Sequence, residues 1–301
     1  MELFCGAGGM ARGFTPYFSI EYAVDKAEPM VNTYRANHAD TDVRLRDVRL
    51  MSGCRGDFDG IAGVIGGPPC QGSSIINTRR RNDARNSLMG EYIDPRNGLM
   101  GEFMRLVEEV RPRFFVMENV PQVSKDKKNS VISRGKNAGY TVVSSYLNAA
   151  DYGAAQTRRR WIVVGIRGKK WVAPAPRTPR TVRQAFAPLN GNWGLMHCTE
   201  KTLGTLAGST GEWTAMSGKF KNMIKLSWDR PSPAVVNLKK VYMVHPGENR
   251  NISLAEAAAL QGFPPGYVWR GTESEVAQMI ANAMPSEMAG GIAETICIEG
   301  V

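Results

Sequence analysis

The sequence predicts an α/β protein: a doubly wound, mostly parallel sheet joined to a small irregular second domain. Three observations predict it. Short apolar runs end in glycine, proline or acidic residues, as strands of an open sheet do where they meet a ligand. Segments of helical length separate those runs. Between residue 168 and about 251 the pattern gives way to basic sequence rich in Gly, Ser, Thr and Pro, with no long helical period.

Each element follows from local residues. Glu2-Leu3-Phe4 is a short strand that runs into Cys5-Gly6-Ala7-Gly8-Gly9, and a helix-like stretch follows. Tyr22-Ala23-Val24 is a second strand, ended by Asp25. Residues 61–65 form a buried strand, closed by Gly66-Gly67-Pro68-Pro69-Cys70-Gln71. The glycines and prolines stop the strand and stiffen its exit, so the Cys70 thiol sits on a constrained turn. Leu99, Phe103, Met104, Leu106, Val107 and Val110 fall at helical spacing, and Pro112 stops that helix. Phe114-Phe115-Val116-Met117 is a continuous apolar strand ending at Glu118-Asn119, and residues 161–166 form another. Ser253 with Glu256 is a capping box opening a helix over Leu254 to Leu260. A helical pattern over 274–281 is broken by Asn282-Ala283-Met284-Pro285, and 287–298 is a final helix. This tail is expected to pack back on the first domain. The chain thus divides into 1–167 for cofactor and catalysis, 168–251 for target recognition, and 252–301 as helices completing the first domain.

Bulk composition narrows the function. The chain has 301 residues, 43% of them apolar, enough for a sizeable core. Its net charge of +10 favours a polyanionic partner. No apolar run reaches the ~20 residues that span a bilayer, and no signal peptide precedes the first motif, so a cytoplasmic setting is expected. Five cysteines without a CxxC pair argue for reduced thiols, and three histidines at no metal-ligand spacing argue against a metal site.

Three stretches carry chemistry. The glycine-rich turn after the first strand lets backbone approach a ligand, and Asp25 lies where a ribose hydroxyl is often held. That turn fits a dinucleotide or any nucleoside-bearing cofactor, and equally a purely structural turn. Glu118 ends a buried strand, where desolvation raises a carboxyl pKa and keeps a proton available near neutral pH. Gln156-Thr157-Arg158-Arg159-Arg160 opens a strand, so Gln156, Arg158 and Arg160 share one face and Arg159 points away. Guanidinium forks suit carboxylates, phosphates and base oxygens. A solvated charge run is the plain alternative.

Taken in order, these motifs resemble the cytosine-5 DNA methyltransferase family. The resemblance runs from Glu2 to Ile298. It also includes Asp94-Pro95-Arg96-Asn97, Arg230-Pro231-Ser232-Pro233 and Leu260-Gln261-Gly262-Phe263-Pro264. It implies a class I methyltransferase (Rossmann-like) fold, S-adenosyl-L-methionine as cofactor and duplex DNA as substrate. By match, Cys70 is the nucleophile that adds to cytosine C6, Glu118 serves N3, and Arg160 with Arg158 holds O2. Phe4 stacks on adenine. Cys5, Gly6, Gly8 and Gly9 admit the methionine part, and Asp25 with Lys26 holds the ribose. Asp47 with Val48, after the third strand, meets the adenine. Pro69, Leu99, Asn282 and Ala283 complete the cofactor pocket. The target cytosine must flip out of the duplex to reach the thiol. Gln71, Ser74, Arg79, Arg80 and Arg81 belong to the loop implied to close over DNA, and Asn119 and Gln156 are implied to contact the substrate. Thr202 and Ser209 are candidate base readers. The family further implies a monomer, without metal or membrane, in some settings paired with a cognate restriction endonuclease.

The chain departs from the family pattern at three positions. Glu2 stands where aspartate is usual, and the first strand is very short. Ser73 stands near a usual aromatic position, and Ala281 replaces a glycine. None touches the nucleophile, Glu118 or the arginines. The alternatives are an RNA cytosine-5 methyltransferase on the same scaffold, a catalytically silent DNA-binding relative, and an unrelated nucleotide-binding oxidoreductase that would leave Cys70 and Glu118 unexplained.

Overall fold

A computed structural model describes residues 1–53, 58–69, 98–189, 223–238 and 241–300. In chain order the first eight strands are β1 (Glu2–Leu3), β2 (Tyr22–Asp25), β3 (Asp42–Leu45), β4 (Gly63–Gly66), β5 (Phe114–Asn119), β6 (Thr141–Asn148), β7 (Gln156–Thr157) and β8 (Arg159–Ile166). Seven of them form one sheet in the order β3-β2-β1-β4-β5-β8-β6. Strand β8 runs antiparallel to both its neighbours; the remaining pairings are parallel. This is the doubly wound, mostly parallel sheet the sequence predicts. The helices are α1 (Gly9–Phe14), α2 (Glu28–Asn37), α3 (Leu99–Val110), α4 (Lys125–Asn137), α5 (Val182–Phe186), α6 (Leu254–Leu260), α7 (Glu273–Asn282) and α8 (Ser286–Ile298).

Strand β5 is apolar from Phe114 to Met117 because both faces of the sheet are covered. Phe114 and Val116 join a core with Ile162, Val164 and α8 residues Met288, Ile292 and Ile296. Phe115 and Met117 point the other way, into a core with Val163 and α3 residues Phe103, Met104, Leu106 and Val107. The period-2 alternation of one strand thus feeds two cores.

Helix α8 returns to lie against α1 at a close backbone approach. A Cβ on Gly13 would lie 2.5 Å from the Ala289 Cβ and 2.5 Å from Gly290 N. Both are fixed atoms of the facing helix, so Gly13→Ala must push α1 and α8 apart. The expected cost is about 1–3 kcal/mol, read as a shift of the denaturation midpoint with unchanged m-value.

Between residue 167 and α6 the described chain is sparse in regular structure. β9 (Met223–Lys225) pairs in parallel with β11 (Tyr242–Val244), and β10 (Ser232–Pro233) with β7. Val182, Phe186, Leu226, Val235, Leu238 and Met243 share a third core with Leu260 of α6 and Val276 and Ile280 of α7. The capping box of Ser253 and Glu256 is formed as expected. Two more, Thr181 with Gln184 and Thr272 with Glu275, start α5 and α7.

Candidate active site

The turn between β1 and α1 passes through the left-handed region three times, at Phe4 (φ 56°), Gly6 (φ 53°) and Gly8 (φ 83°). Glycine takes this conformation freely, but a phenylalanine there is strained by on the order of 1–3 kcal/mol. The turn wraps one side of a pocket of about 290 Å³. A Cβ on Gly6 would meet nothing within 4 Å, so its backbone faces open space. Gly6 N donates to Asp25 Oδ2 at 3.1 Å and Ala27 N to Oδ1 at 3.0 Å, which fixes the carboxylate at the end of β2. Burial pushes the Asp25 carboxyl up.

Of the residues expected at this pocket, Phe4, Cys5, Gly6, Gly9, Asp25, Lys26, Asp47, Val48, Pro69, Leu99, Asn282 and Ala283 line it. Gly8 does not. A Cβ there would lie 2.5 Å from His38 Nε2, so this glycine permits packing against the α2 end instead. Asp47 is engaged by Arg49, whose Nε reaches Oδ1 at 3.0 Å, and this bond holds the carboxyl down to about 2. The Cys5 thiol is buried and pushed well up, the wrong direction for a nucleophile. Sequence reasoning missed Glu2, Met30, Arg46, Met279 and Met284 in the lining; the apolar members carry no signal that separates them from core.

Glu2 is the least expected of these. It is buried, accepts a 2.8 Å bond from Tyr34 Oη, and burial pushes its carboxyl up to about 8. The folded protein therefore holds this proton more tightly than the unfolded chain does. Its contribution to stability is full below the unfolded carboxyl range and falls as pH rises toward 8. Glu2→Gln is expected to flatten the decline of the denaturation midpoint between about pH 5 and 8.

Glu118 is the last residue but one of β5, and Arg160 lies near the start of β8. The antiparallel register sets Glu118 opposite Ile162, so Arg160, two residues earlier, leans from the same face. Arg160 Nε lies 2.7 Å from Glu118 Oε1, and both side chains are 13% exposed. A Cβ on Gly67 would lie 2.9 Å from Glu118 Oε2, which explains the glycine. Glu118 also lines the pocket of the glycine turn, so the two sites are continuous. Cys70 follows pocket-lining Pro69 in sequence. Cys70, Gln71, Ser74, Arg79, Arg80, Arg81, Thr202 and Ser209 lie outside the described residues.

Three residues expected to contact substrate are engaged by partners within the protein. Gln156 is fully buried: its amide nitrogen donates to Leu260 O and Gln261 Oε1, both at 2.8 Å, and its oxygen accepts Val235 N at 3.1 Å. It has no surface left for a nucleic acid. Arg158 is equally enclosed, donating to Val235 O at 2.9 Å and Ala281 O at 2.7 Å; burial lowers its pKa to about 9. It ties the chain at Val235 to the end of α7, within electrostatic reach of Glu118 and Arg160. Asn119 donates to Pro68 O at 2.9 Å and accepts Val120 N, clipping the proline turn that leads to Cys70.

A glycine turn with an acid at the next strand end, continuous with a carboxylate–guanidinium pair beside Gly67, agrees with what comparison finds. The family model of the C-5 cytosine-specific DNA methylases matches residues 1–192 and 190–297. The chain belongs to that family. This methylase is 32% identical to a type II methyltransferase, M1.HphI of Haemophilus parahaemolyticus, over 98% of its own length and 86% of that protein. It is 26% identical to M.DdeI of Desulfomicrobium norvegicum, over 98% and 88%. Among solved structures, an E. coli prophage-encoded protein described as a DNA modification methyltransferase superposes with a TM-score of 0.75 at 23% identity, covering 98% of this chain and 97% of that one. The Dnmt2 methyltransferase of S. pombe gives 0.73 at 16% identity, covering 99% and 98%. At these identities the structural likeness speaks for the fold. Among the described residues no cluster of His, Cys, Asp or Glu could hold a metal, and no helix is long and apolar enough to cross a membrane.

Proposed function

We propose that the chain methylates C5 of cytosine in duplex DNA, with S-adenosyl-L-methionine as methyl donor and Cys70 as covalent nucleophile. The observation that carries this reading is the Glu118–Arg160 pair opening onto the pocket of the glycine turn. That pocket suits the donor: Gly6 leaves room for a ligand against backbone, Phe4 offers a ring, and Asp25 offers a fixed carboxylate. Its size is near the lower end of the roughly 300–1,000 Å³ typical of ligand sites. When bound, the donor supplies an electrophilic methyl group.

The chain's own residues do the rest. The Cys70 thiolate adds to C6, and the electron pair displaced from the C5–C6 bond makes C5 nucleophilic. Glu118 holds or protonates N3, so that negative charge does not build on the ring. Arg160, held by Glu118, is aimed at O2, where charge also collects. After C5 has taken the methyl group, a base removes the C5 proton, the double bond re-forms, and the thiolate leaves C6. Arg158 and Gln156 act at one remove, by fixing the start of β8. The related type II methyltransferases favour a restriction–modification setting. Tritium from labelled donor should appear on cytosine C5 of unmethylated duplex DNA and not on tRNA. Label on tRNA alone would replace this reading with the RNA one.

A further inference from the structure

Several arginines on the described surface face acids: Arg105, Arg134, Arg183 and Arg250 each pair with glutamate or aspartate. Lys128 and Arg159 do not. Among the described residues neither has a carboxylate partner, and they converge on one exposed ring. Tyr146 is 47% exposed. Lys128 Nζ lies 5.1 Å from its ring centroid and donates to its hydroxyl at 2.9 Å. The Arg159 guanidinium lies 5.1 Å from the same centroid. Two like charges held against one aromatic ring are cations placed ready for an anion.

The position points to the anion. Arg159 is the chain neighbour of Arg160, on the opposite face of β8 at the same strand end, with the two Cα atoms about 3.8 Å apart. Lys128 also donates to Pro121 O at 2.6 Å, two residues past the end of β5. The cluster therefore flanks the edge where Glu118 and Arg160 meet.

We infer that Lys128, Tyr146 and Arg159 form a clamp for a backbone phosphate of the substrate duplex, outside the flipped nucleotide. This rests on the DNA reading above. The clamp contributes affinity and register without reading sequence, because a phosphate carries no base identity.

The test is binding of a duplex oligonucleotide across about 50–300 mM salt. Wild type is compared with Arg159→Ala, Lys128→Gln and, as control, Lys136→Ala at the far end of α4. The expected result is a several-fold weaker Kd at intermediate salt for each clamp variant, with the slope of log K against log salt reduced by about one per lost phosphate contact. The control keeps the wild-type slope. A merely structural role for either cation could weaken binding but would leave the slope alone. Thermal midpoints separate misfolding from lost contact, and Lys128→Arg should restore most of the slope. Wild-type slopes in both folded clamp variants overturn the inference while leaving the DNA reading intact. Wild type that fails to bind duplex DNA but binds RNA overturns both.

Discussion

Replacing Glu118 by glutamine is expected to lower kcat on duplex DNA by about 10²- to 10⁴-fold, the usual loss on removing a positioned acid or base. The amide keeps the volume of the carboxyl against Gly67, so packing at the strand end survives. It cannot exchange a proton with cytosine N3, and it leaves the Arg160 guanidinium without the carboxylate that now lies 2.7 Å away. The two residues act as a unit, so adding Arg160→Ala to Glu118→Gln should cost much less than Arg160→Ala alone. Single-turnover kinetics at saturating DNA and donor check this. A Glu118→Gln enzyme within about threefold of wild type would remove Glu118 from the chemistry.

The second large effect falls on stability. Gln156→Leu is expected to destabilise the protein by about 3 kcal/mol, because it leaves Leu260 O, Gln261 and Val235 N without their buried partner at roughly 1–3 kcal/mol each before relaxation. A loss of that size lowers the thermal midpoint by roughly 6–12 °C. The network extends through Gln261, which donates to Ile280 O at 2.6 Å, so the effect spreads to α6 and α7. Gln156 would then prove to be a strut. If the variant melted like wild type while its DNA affinity fell tenfold or more, the residue would belong to the nucleic-acid face after all.

Much of this was readable in the residues. The core strands announced themselves because both faces are buried and the apolar run is unbroken, as at Phe114 to Met117. Asp25 and Asn282 reach the pocket as expected because motif order fixes which strand or helix ends face it. What escaped notice did so for physical reasons. Strand β6 is an edge strand with mostly exposed or half-exposed residues, Leu147 being its one buried side chain, so it has no apolar run. Helix α4 buries only Val131 and Gly135, and Ile132 is its one other apolar side chain, so its period is faint. The alternation argument put Gln156, Arg158 and Arg160 on one face correctly, but a shared face does not decide depth. Two of the three are enclosed by Val235, Ala281 and Leu260, residues some 80 to 120 positions away. Long-range closure of that kind leaves no trace in a five-residue window.

The proposed methyl transfer depends on a covalent bond between Cys70 and cytosine C6. A duplex carrying 5-fluorocytosine at the target position tests it, because fluorine cannot leave C5 as a proton does and the thiolate then cannot be eliminated. With the methyl donor present, intact mass of the denatured complex should show protein plus oligonucleotide plus one methyl group for wild type. Cys70→Ser should show none. No covalent species from a wild-type protein that methylates ordinary duplex, or an equal yield from Cys70→Ser, would contradict the mechanism.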